Sequence, residues 1–482
     1  DTLSLHDALP ISTALLNQVE ELEGTLTSFN CTEEELQELR VFQPASDSPQ
    51  ALELKVSNLL ADLETNVTWI YKRPDMHLAL DLAFHSVLSF AYNGRNINGW
   101  LNLLVIGDSA QGKSEATARL MTHYGVGDKV DCKNATVAGL LGGLEQLGNR
   151  WFVRWGAIPT RDGMLVVLEE LKGASTDIIS KLTEMRSSGI AEIPKIERRR
   201  SLARTRLIMV SNPRTPRAMA SFHFGVEAIV ELIGALEDVR RFDFAVAVGR
   251  DEVSDEAINS ASAKKRKVAH VATATLSKRL ILWAWTRTPE QVEFTEEANA
   301  AILEVSKRLT SRFSESVPLV DKGTIQHKIA RLSVALAARV FSTQDGKTLR
   351  VMSQHVKYIG AYVERVYSSK VMGYLDFSSA QELMSKVQDP HIIVKAVKGT
   401  RHPRDLAAVL LRRDTISLED IQSASAMDFD GARTLLSLLV RKGALLRTTR
   451  TEYTKNPEFI EILKRIRNDE SADKHDTTGD DF

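Results

Sequence analysis

Three short, continuous apolar runs mark the chain, and segments with helical periodicity lie between them. The runs are residues 101–106, 165–168 and 207–212, and each has the length of a strand. Runs without polar alternation are typical of strands that are covered on both faces, as in a parallel sheet. Because strands alternate with helices here, the pattern predicts an α/β fold, a parallel sheet with helices on both faces.

The remaining segments are predicted to be mostly helical. Apolar residues recur at helical spacing over 68–92, a turn-rich loop is expected at 93–99, and residues 138–144 form a flexible glycine-rich stretch. The predicted division is a helical segment at 1–66 whose residues 1–12 do not look native, an α/β core at 67–256, a linker and helical lid at 257–370, a connector at 371–395, a compact unit at 396–465 and a disordered acidic tail at 466–482.

The composition is ordinary for a soluble globular protein, with 43% hydrophobic and 26% charged residues among 482. Lys and Arg number 62 against 63 Asp and Glu, so any nucleic-acid contact must come from local basic clusters. The two cysteines, Cys31 and Cys132, exclude a disulfide framework and a four-cysteine zinc site. The apolar runs are too short to span a membrane, and no signal peptide is recognisable, so we expect no membrane partner.

A phosphate-binding motif follows the first apolar run directly. It fits G-x-x-x-x-G-K-[ST] with a strand before it and good helix formers after it, the context in which such a loop cradles phosphates. Backbone N–H groups and the positive end of the helix dipole would face the phosphates, Lys113 would reach the β- and γ-phosphates, and Ser114 would hold Mg²⁺. The residues assigned to ATP are Gly107, Asp108, Ser109, Ala110, Gln111, Gly112, Lys113 and Ser114.

Polar residues follow the second and third apolar runs. Glu169 and Glu170 end the second run, and Asn212 ends the third. Open parallel sheets place ligand-contacting groups where strands end. We assign Glu169 to the Mg²⁺ ion, Glu170 to activation of the attacking water, and Asn212 to a hydrogen bond with that water or the γ-phosphate.

The ordered set of motifs resembles the minichromosome maintenance (MCM) family of AAA+ replicative helicases. The resemblance rests on residues 107–114, 156–163, 169–170, 203–213 and 239–244, and it extends over about 68–366. It implies an AAA+ P-loop NTPase core, a helical lid and a hexameric ring. In such a ring Arg241 would be the arginine finger that reaches the ATP of the next subunit. The alternative is a structural salt bridge of Arg241 with Asp238 or Asp243.

A hairpin is predicted at 188–200, where alternation leads to a polar tip. In the resembled family a hairpin at this place points a lysine at DNA in the ring channel. That lysine's position here is Ser187, and the nearest lysine in the predicted hairpin is Lys195. A solvated charge run is the alternative interpretation of this segment. The residues assigned to DNA are Lys195, Arg198, Arg199 and Arg200.

The chain departs from the family pattern at several positions. Glu169 stands where the family has Asp, and Gly112 where it has Ala. No arginine falls near Thr324 for the second sensor, and either Lys322 or Arg331 would have to replace it. The family's amino-terminal oligonucleotide-fold domain and zinc site have no counterpart in 1–66, so a motor-only relative is expected.

Residues 396–465 resemble a winged helix-turn-helix, with helices at 416–421 and 430–443 and a basic hairpin at 443–454. Such modules bind DNA or protein, and the sequence favours neither. The resemblance implies a hexameric, ATP-dependent DNA helicase or translocase in replication, acting on single-stranded or forked DNA in the cytoplasm, associated with the nucleoid. The alternatives are an AAA+ protein remodeller of the chelatase-like kind and an ATP-regulated DNA-binding or origin protein with weak hydrolysis.

Overall fold

Strands and helices alternate along most of the chain. The computed structural model describes residues 26, 28–147, 150–193, 199–254, 256, 268–385, 387–447 and 451–469. The strands are β1 (Ser89–Tyr92), β2 (Arg95–Asn98), β3 (Asn102–Gly107), β4 (Asp128–Asp131), β5 (Gly142–Leu147), β6 (Arg150–Trp155), β7 (Leu165–Glu169), β8 (Ile190–Ile193), β9 (Arg199–Leu202), β10 (Arg206–Ser211), β11 (Phe244–Val248), β12 (Val292–Phe294), β13 (Leu349–Val351), β14 (Leu445–Arg447) and β15 (Tyr453–Lys455).

The α-helices range from one to nearly five turns in length. They are α1 (Glu33–Leu39), α2 (Pro49–Asp62), α3 (Pro74–Phe84), α4 (Lys113–Tyr124), α5 (Val137–Leu140), α6 (Thr176–Ser188), α7 (Val226–Ile233), α8 (Leu236–Arg240), α9 (Ala274–Trp285), α10 (Glu296–Arg312), α11 (Ile325–Arg339), α12 (Ser353–Tyr367), α13 (Tyr374–Ser385), α14 (Pro390–Lys398), α15 (Pro403–Arg412), α16 (Leu418–Ser425), α17 (Phe429–Arg441) and α18 (Pro457–Asn468). A π-helical stretch, Leu63–Thr68, continues α2.

The chain divides into two compact units, Asp1–Phe377 and Ser378–Phe482. The first contains a five-stranded parallel sheet in the order β11-β3-β10-β7-β4. The protein is therefore of the α/β class. Strands β3, β10 and β11 are buried along their whole length. Burial on both faces explains why β3 and β10 read as continuous apolar runs, whereas β11 is a further apolar strand that was not predicted. Helix α3 packs on these three strands.

The segment predicted as helix over 68–92 is helical only in part. Helix α3 ends at Phe84, and residues beyond it form the antiparallel hairpin β1–β2, so the predicted loop at 93–99 is largely strand. Phe90 and Tyr92 alternate with exposed Ala91 in β1, and alternation over so few residues resembles one turn of a helix. The predicted helix boundary was therefore wrong.

Helices α9 to α12 form most of the predicted lid, and they belong to the same compact unit as the sheet. They are not purely helical, because β12 and β13 form a short parallel pair. Residues 257–267 of the predicted linker, residues 1–25 of the amino-terminal segment and residues 470–482 of the predicted tail lie outside the described residues. No helix of the described residues is long and apolar enough to cross a membrane.

The second unit has its own apolar core, built by α14 to α18 and the antiparallel pair β14–β15. The predicted connector at 371–395 contains α13 and the start of α14, and the boundary between the two compact units falls within it. Helix α18 also runs past 465 to Asn468, because Ile462, Leu463 and Ile466 are buried in this core. Residues 448–450 of the predicted basic hairpin lie outside the described residues.

Candidate nucleotide site

The carboxyl ends of the parallel strands bring the predicted site residues to one edge of the sheet. The phosphate loop follows β3, Glu169 ends β7, and Asn212 follows β10. Strand β10 pairs with both β3 and β7, so Asn212 lies between the phosphate loop and the two glutamates. The three motifs that are far apart in sequence therefore meet at this edge.

Close packing on β11 fixes the start of the phosphate loop. A Cβ at Gly107 would lie 2.1 Å from the carbonyl oxygen of Val248, so only glycine fits there. Further along, Ala110 (φ 61°) and Gly112 (φ 78°) take the left-handed conformation that turns the loop. Helix α4 then begins at Lys113, and no side chain of the described residues caps it. Its first N–H groups are therefore directed at the space where phosphates would lie.

Asp108 anchors the loop to the rest of the sheet edge. Its buried carboxylate accepts hydrogen bonds from the backbone N–H groups of Met219 (2.7 Å) and Arg250 (2.9 Å). Its own N–H donates to the carbonyl of Val248 at 3.0 Å. Asp108 therefore fixes the position of the loop, and its carboxylate already accepts hydrogen bonds from two backbone amides.

Arg73 supports the loop from outside, a role that the sequence did not indicate. Its buried guanidinium donates to the side chain of Gln111 (2.6 Å), to the carbonyl of Gly249 (2.7 Å) and to the carboxylate of Glu252 (2.6 Å). Burial raises the pKa of Glu252, while the charge of Arg73 opposes that shift. Arg73 thus connects the phosphate loop to the end of β11.

Lys113 lies at the centre of the site. Its Nζ donates to the carbonyls of Gly107 (2.9 Å) and Asp108 (2.5 Å) and to Oδ1 of Asn212 (3.0 Å). The side chain is buried, and burial lowers the pKa of Lys113 to about 8 even though the carboxylates of Asp108 and Glu170 oppose the shift. A buried ammonium with this pKa is stabilised by an incoming phosphate.

The two glutamates differ in their surroundings. Oε2 of Glu169 lies 3.1 Å from Nζ of Lys129, whereas its buried Oε1 has no hydrogen-bond partner among the described residues. Glu170 is more exposed, lies 3.4 Å from Nζ of Lys172 and has a left-handed backbone at φ 53°. Such strain on a non-glycine residue is concentrated at functional sites.

The residues at this edge of the sheet suit a magnesium ion that binds together with a nucleotide. Ser114 is exposed in the first turn of α4, and Glu169 offers the buried oxygen that lacks a partner. No cluster of three or more metal-ligating side chains occurs in the described part of the chain. Magnesium bound with a nucleotide takes most of its ligands from phosphate and water, so few protein groups are needed.

Arg241 is not brought to this edge. It precedes β11, and the next residues contact Asn102 at the start of β3, so Arg241 lies at the amino edge of the sheet. Its side chain is exposed and forms no hydrogen bond or ion pair with a described residue. The salt bridges considered for it do not form, since Asp243 instead pairs with Arg331 at 2.7 Å.

The predicted basic hairpin corresponds to the antiparallel pair β8–β9. Arg199 and Arg200 lie on β9 and are exposed, and Arg200 contacts Glu192 across the pair at 2.9 Å. Lys195 and Arg198 lie outside the described residues.

A second hairpin, β5–β6, was missed because its glycines at 142 and 143 indicated a flexible stretch. It exposes two aromatic side chains, with Trp151 52% and Phe152 42% exposed, and Arg154 lies nearby on the same strand. Trp151 and Phe152 are consecutive in β6 and therefore point to opposite faces of the hairpin. The dense run of aromatic and basic residues in β6 is a signal that could have identified this exposed strand.

Comparisons of the chain with protein-family models and with curated proteins gave no significant match. The structure is that of an α/β protein in which the 107–114 loop, the buried Lys113 and the strand-end carboxylates lie at one edge of the parallel sheet.

Proposed function

We propose that this chain is an ATP hydrolase of the AAA+ class, an MCM-like motor that moves DNA through a hexameric ring. The observation that carries the proposal is the convergence of Lys113, Asn212 and Glu169 at one sheet edge, with Lys113 only 3.0 Å from Asn212. Strand β10 lies between the phosphate-loop strand and the glutamate strand, and this order supports a role for Asn212 as the polar sensor of the γ-phosphate.

Each residue has a distinct role in hydrolysis. The N–H groups of the loop and of the first turn of α4 bind the phosphates, and Lys113 moves from backbone carbonyls to the β- and γ-phosphates. Asn212 orients the attacking water, and Glu170 accepts its proton. Ser114 and Glu169 would hold Mg²⁺, which neutralises the charge that develops on the phosphates.

The position of Arg241 supports a ring. An exposed arginine at the amino edge cannot contact the nucleotide of its own chain at the carboxyl edge, because the length of a strand separates them. In a ring the same side chain would meet the ATP of a neighbouring copy and stabilise the transition state, an effect of about 10³–10⁵ in rate.

Two exposed hairpins support a nucleic-acid substrate over a protein substrate. Arg199 and Arg200 on β9 offer charge for backbone phosphates. Trp151 and Phe152 on β6 offer stacking surfaces for unpaired bases, worth about 1–3 kcal/mol per base. Together they have the composition of a single-strand contact surface.

The second unit supports a winged-helix module. Helices α15, α16 and α17 precede the β14–β15 hairpin, and Ile416 forms an isolated antiparallel bridge with Tyr453 of that hairpin. A groove of about 600 Å³ beside α17 is lined by Phe429, Arg433 and Leu436 among others. Exposed Phe429 favours a partner with apolar groups at this groove.

The test is ATP hydrolysis by the purified chain with and without single-stranded or forked DNA. Lys113→Ala should abolish hydrolysis and ATP binding, whereas Glu170→Gln should abolish hydrolysis and retain binding. Glu184→Gln, an exposed glutamate on α6, is the matched control and should leave the rate unchanged.

DNA stimulation that is lost in Lys113→Ala supports the motor, and strand displacement is then measured. Hydrolysis that is indifferent to DNA moves the assignment to a protein remodeller. ATP binding without turnover favours an ATP-regulated DNA-binding protein, and in that case Glu169→Asp should raise the rate by restoring the shorter carboxylate.

A further inference from the structure

A small polar pocket lies at the amino edge of the sheet, opposite the phosphate loop. It has a volume of about 150 Å³. We call it the amino-edge pocket, and its charged lining residues are Arg186, Arg240, Arg241, Asp243, Lys328 and Arg331. Five of these six side chains are basic, and burial lowers the pKa of one of them, Lys328, to about 7.

Arg186 is the most deeply buried arginine of the pocket, with 4% of its surface exposed. Its guanidinium lies over the ring of Phe242 at 4.3 Å, and Nη2 donates to Oγ1 of Thr183 at 2.8 Å and to the carbonyl of Asp238 at 3.2 Å. Burial lowers the pKa of Arg186 to about 10, so the group is still protonated at neutral pH.

Two donors of Arg186, Nε and Nη1, are buried without a hydrogen-bond partner among the described residues. Buried polar groups are nearly always paired, and an unpaired charged donor is particularly costly. The chain therefore leaves two nitrogens of one buried, charged guanidinium without an acceptor beside the pocket. Nε–H and the Nη1 hydrogens lie on different edges of the guanidinium, so each needs its own acceptor, and an oxygen of an anion would form a charge-assisted hydrogen bond with one of them.

Asp243, the carboxylate that lines the pocket, accepts its hydrogen bonds from groups other than these two donors of Arg186. Oδ2 of Asp243 accepts from the backbone N–H of Asn102 at 2.8 Å, and Oδ1 pairs with Arg331 at 2.7 Å. Arg241 adds an exposed charge without a described partner, and Lys328 is buried with its Nζ on the carbonyl of Leu319 at 2.9 Å. Positive charge thus exceeds negative charge around the empty volume.

We propose that the amino-edge pocket binds a phosphate-type oxyanion and that Arg186 is its principal ligand. The volume suits this class, since it is many times the roughly 10–15 Å³ that a single water molecule needs on the same measure. Arg241 at the opening adds a long-range attraction and a further donor.

The oxyanion has two possible sources, free inorganic phosphate or the terminal phosphate of a nucleotide on a second copy of the chain. The position of Arg241 favours the second source. That part of the inference rests on the proposed function, whereas the binding of an oxyanion does not.

The first experiment is calorimetric titration of inorganic phosphate at fixed ionic strength. It uses the full chain with Lys113→Ala, so that the phosphate loop does not contribute to the signal. Adding Arg186→Met should weaken phosphate binding about tenfold or more, because a charge-assisted hydrogen bond and the positive charge of the guanidinium are lost. Equal affinity in the two proteins would overturn the proposal.

Arg186 is buried, so the experiment includes a surface variant that leaves the core intact. Arg241→Ala at the opening should weaken phosphate binding several-fold. Lys307→Ala removes an exposed cation of α10 that does not line the pocket, and it should change nothing. If Arg186→Met does not fold, equal affinities for Arg241→Ala and Lys307→Ala would overturn the proposal.

The second experiment identifies the source by mixing Arg186→Met with Lys113→Ala. Both proteins are inactive alone if the oxyanion is a neighbour's nucleotide, whereas ATP hydrolysis by Arg186→Met alone assigns the oxyanion to free phosphate. Arg186→Met retains its phosphate loop and Lys113→Ala retains its pocket, so a mixed assembly contains some complete interfaces. Recovered ATP hydrolysis in the mixture assigns the oxyanion to a neighbour's nucleotide, and no recovery with intact phosphate binding assigns it to free phosphate. If the unsubstituted chain hydrolyses no ATP, the proposed function fails. The phosphate titration still tests whether the amino-edge pocket binds an oxyanion.

Discussion

Gly112 offers the sharpest test of the conformation of the phosphate loop. A side chain there would cost stability in two ways that can be measured separately, through backbone strain and through overlap with a neighbouring side chain. Its φ of 78° is unfavourable for alanine, and a Cβ would lie 2.7 Å from Cγ2 and 2.9 Å from Cδ1 of Ile70. The left-handed conformation costs alanine about 1–2 kcal/mol, of which about 0.4–1 is offset by the less flexible unfolded chain. Overlap with Ile70 adds about 1 kcal/mol or more.

Two other glycines isolate the backbone cost. Gly94 (φ 73°) and Gly163 (φ 76°) have no atom within 4 Å of a built Cβ, so their alanine variants report the conformational cost alone. We expect Gly112→Ala to lower the free energy of unfolding by about 1 kcal/mol more than either control. Urea denaturation followed by tryptophan fluorescence measures the difference.

The contact with Ile70 is then removed in a double variant. Gly112→Ala with Ile70→Ala should cost less than the sum of the two single variants, with a coupling of about 1 kcal/mol. ATP affinity should fall in Gly112→Ala and recover in the double variant, because the loop is pushed away from Ile70 only in the first. If Gly112→Ala costs no more than the two controls and binds ATP normally, the loop geometry argued here is wrong.

Three further predictions concern charge and stacking. Burial holds the pKa of Lys113 near 8, and a bound phosphate raises that pKa, so ATP binding should take up a proton around pH 8 and weaken as the pH rises above 8. Calorimetry in two buffers measures the proton uptake, and Lys113→Ala should abolish it. Asp108→Asn leaves one of two backbone amides without an acceptor and should cost about 1.5–3 kcal/mol in urea denaturation, with an unchanged midpoint as the contrary result. Replacing Trp151 and Phe152 by alanine should weaken the binding of single-stranded DNA by about 1–3 kcal/mol per stacked base, as measured by fluorescence anisotropy. An equal loss of affinity in Leu54→Ala, which removes another exposed apolar side chain, would contradict stacking.

The strands that carry the site were predictable because they are continuous apolar runs. Strands β3, β7 and β10 coincide closely with the runs at 101–106, 165–168 and 207–212. Strand β4, with the sequence Asp-Lys-Val-Asp, lies at the edge of the sheet, and an edge strand with so many charges gives no periodic signal. Its pairing with β7 depends on tertiary contacts that no local pattern encodes.

The supports of the site were less predictable than its chemical groups. Lys113 was predictable from the phosphate-binding motif. Glu169 and Asn212 were predictable because each lies at the end of a continuous apolar run. Arg73 and the buried Arg186 act through partners that are distant in sequence, and an isolated arginine in a helical pattern looks like a surface residue. Only the folded chain shows what they contact.

The pairing of β3 also determines when the site exists during synthesis. Its two neighbours in the sheet, β10 and β11, both come much later in the chain, and Val248 and Arg250 complete the hydrogen bonds of Asp108. A nascent chain therefore presents β3 with both edges unpaired, an exposed apolar strand that invites association with other chains. The phosphate loop reaches its final geometry only after Arg250 has left the ribosome. Under the proposed function, ATP would bind and stabilise only those chains whose central sheet is complete.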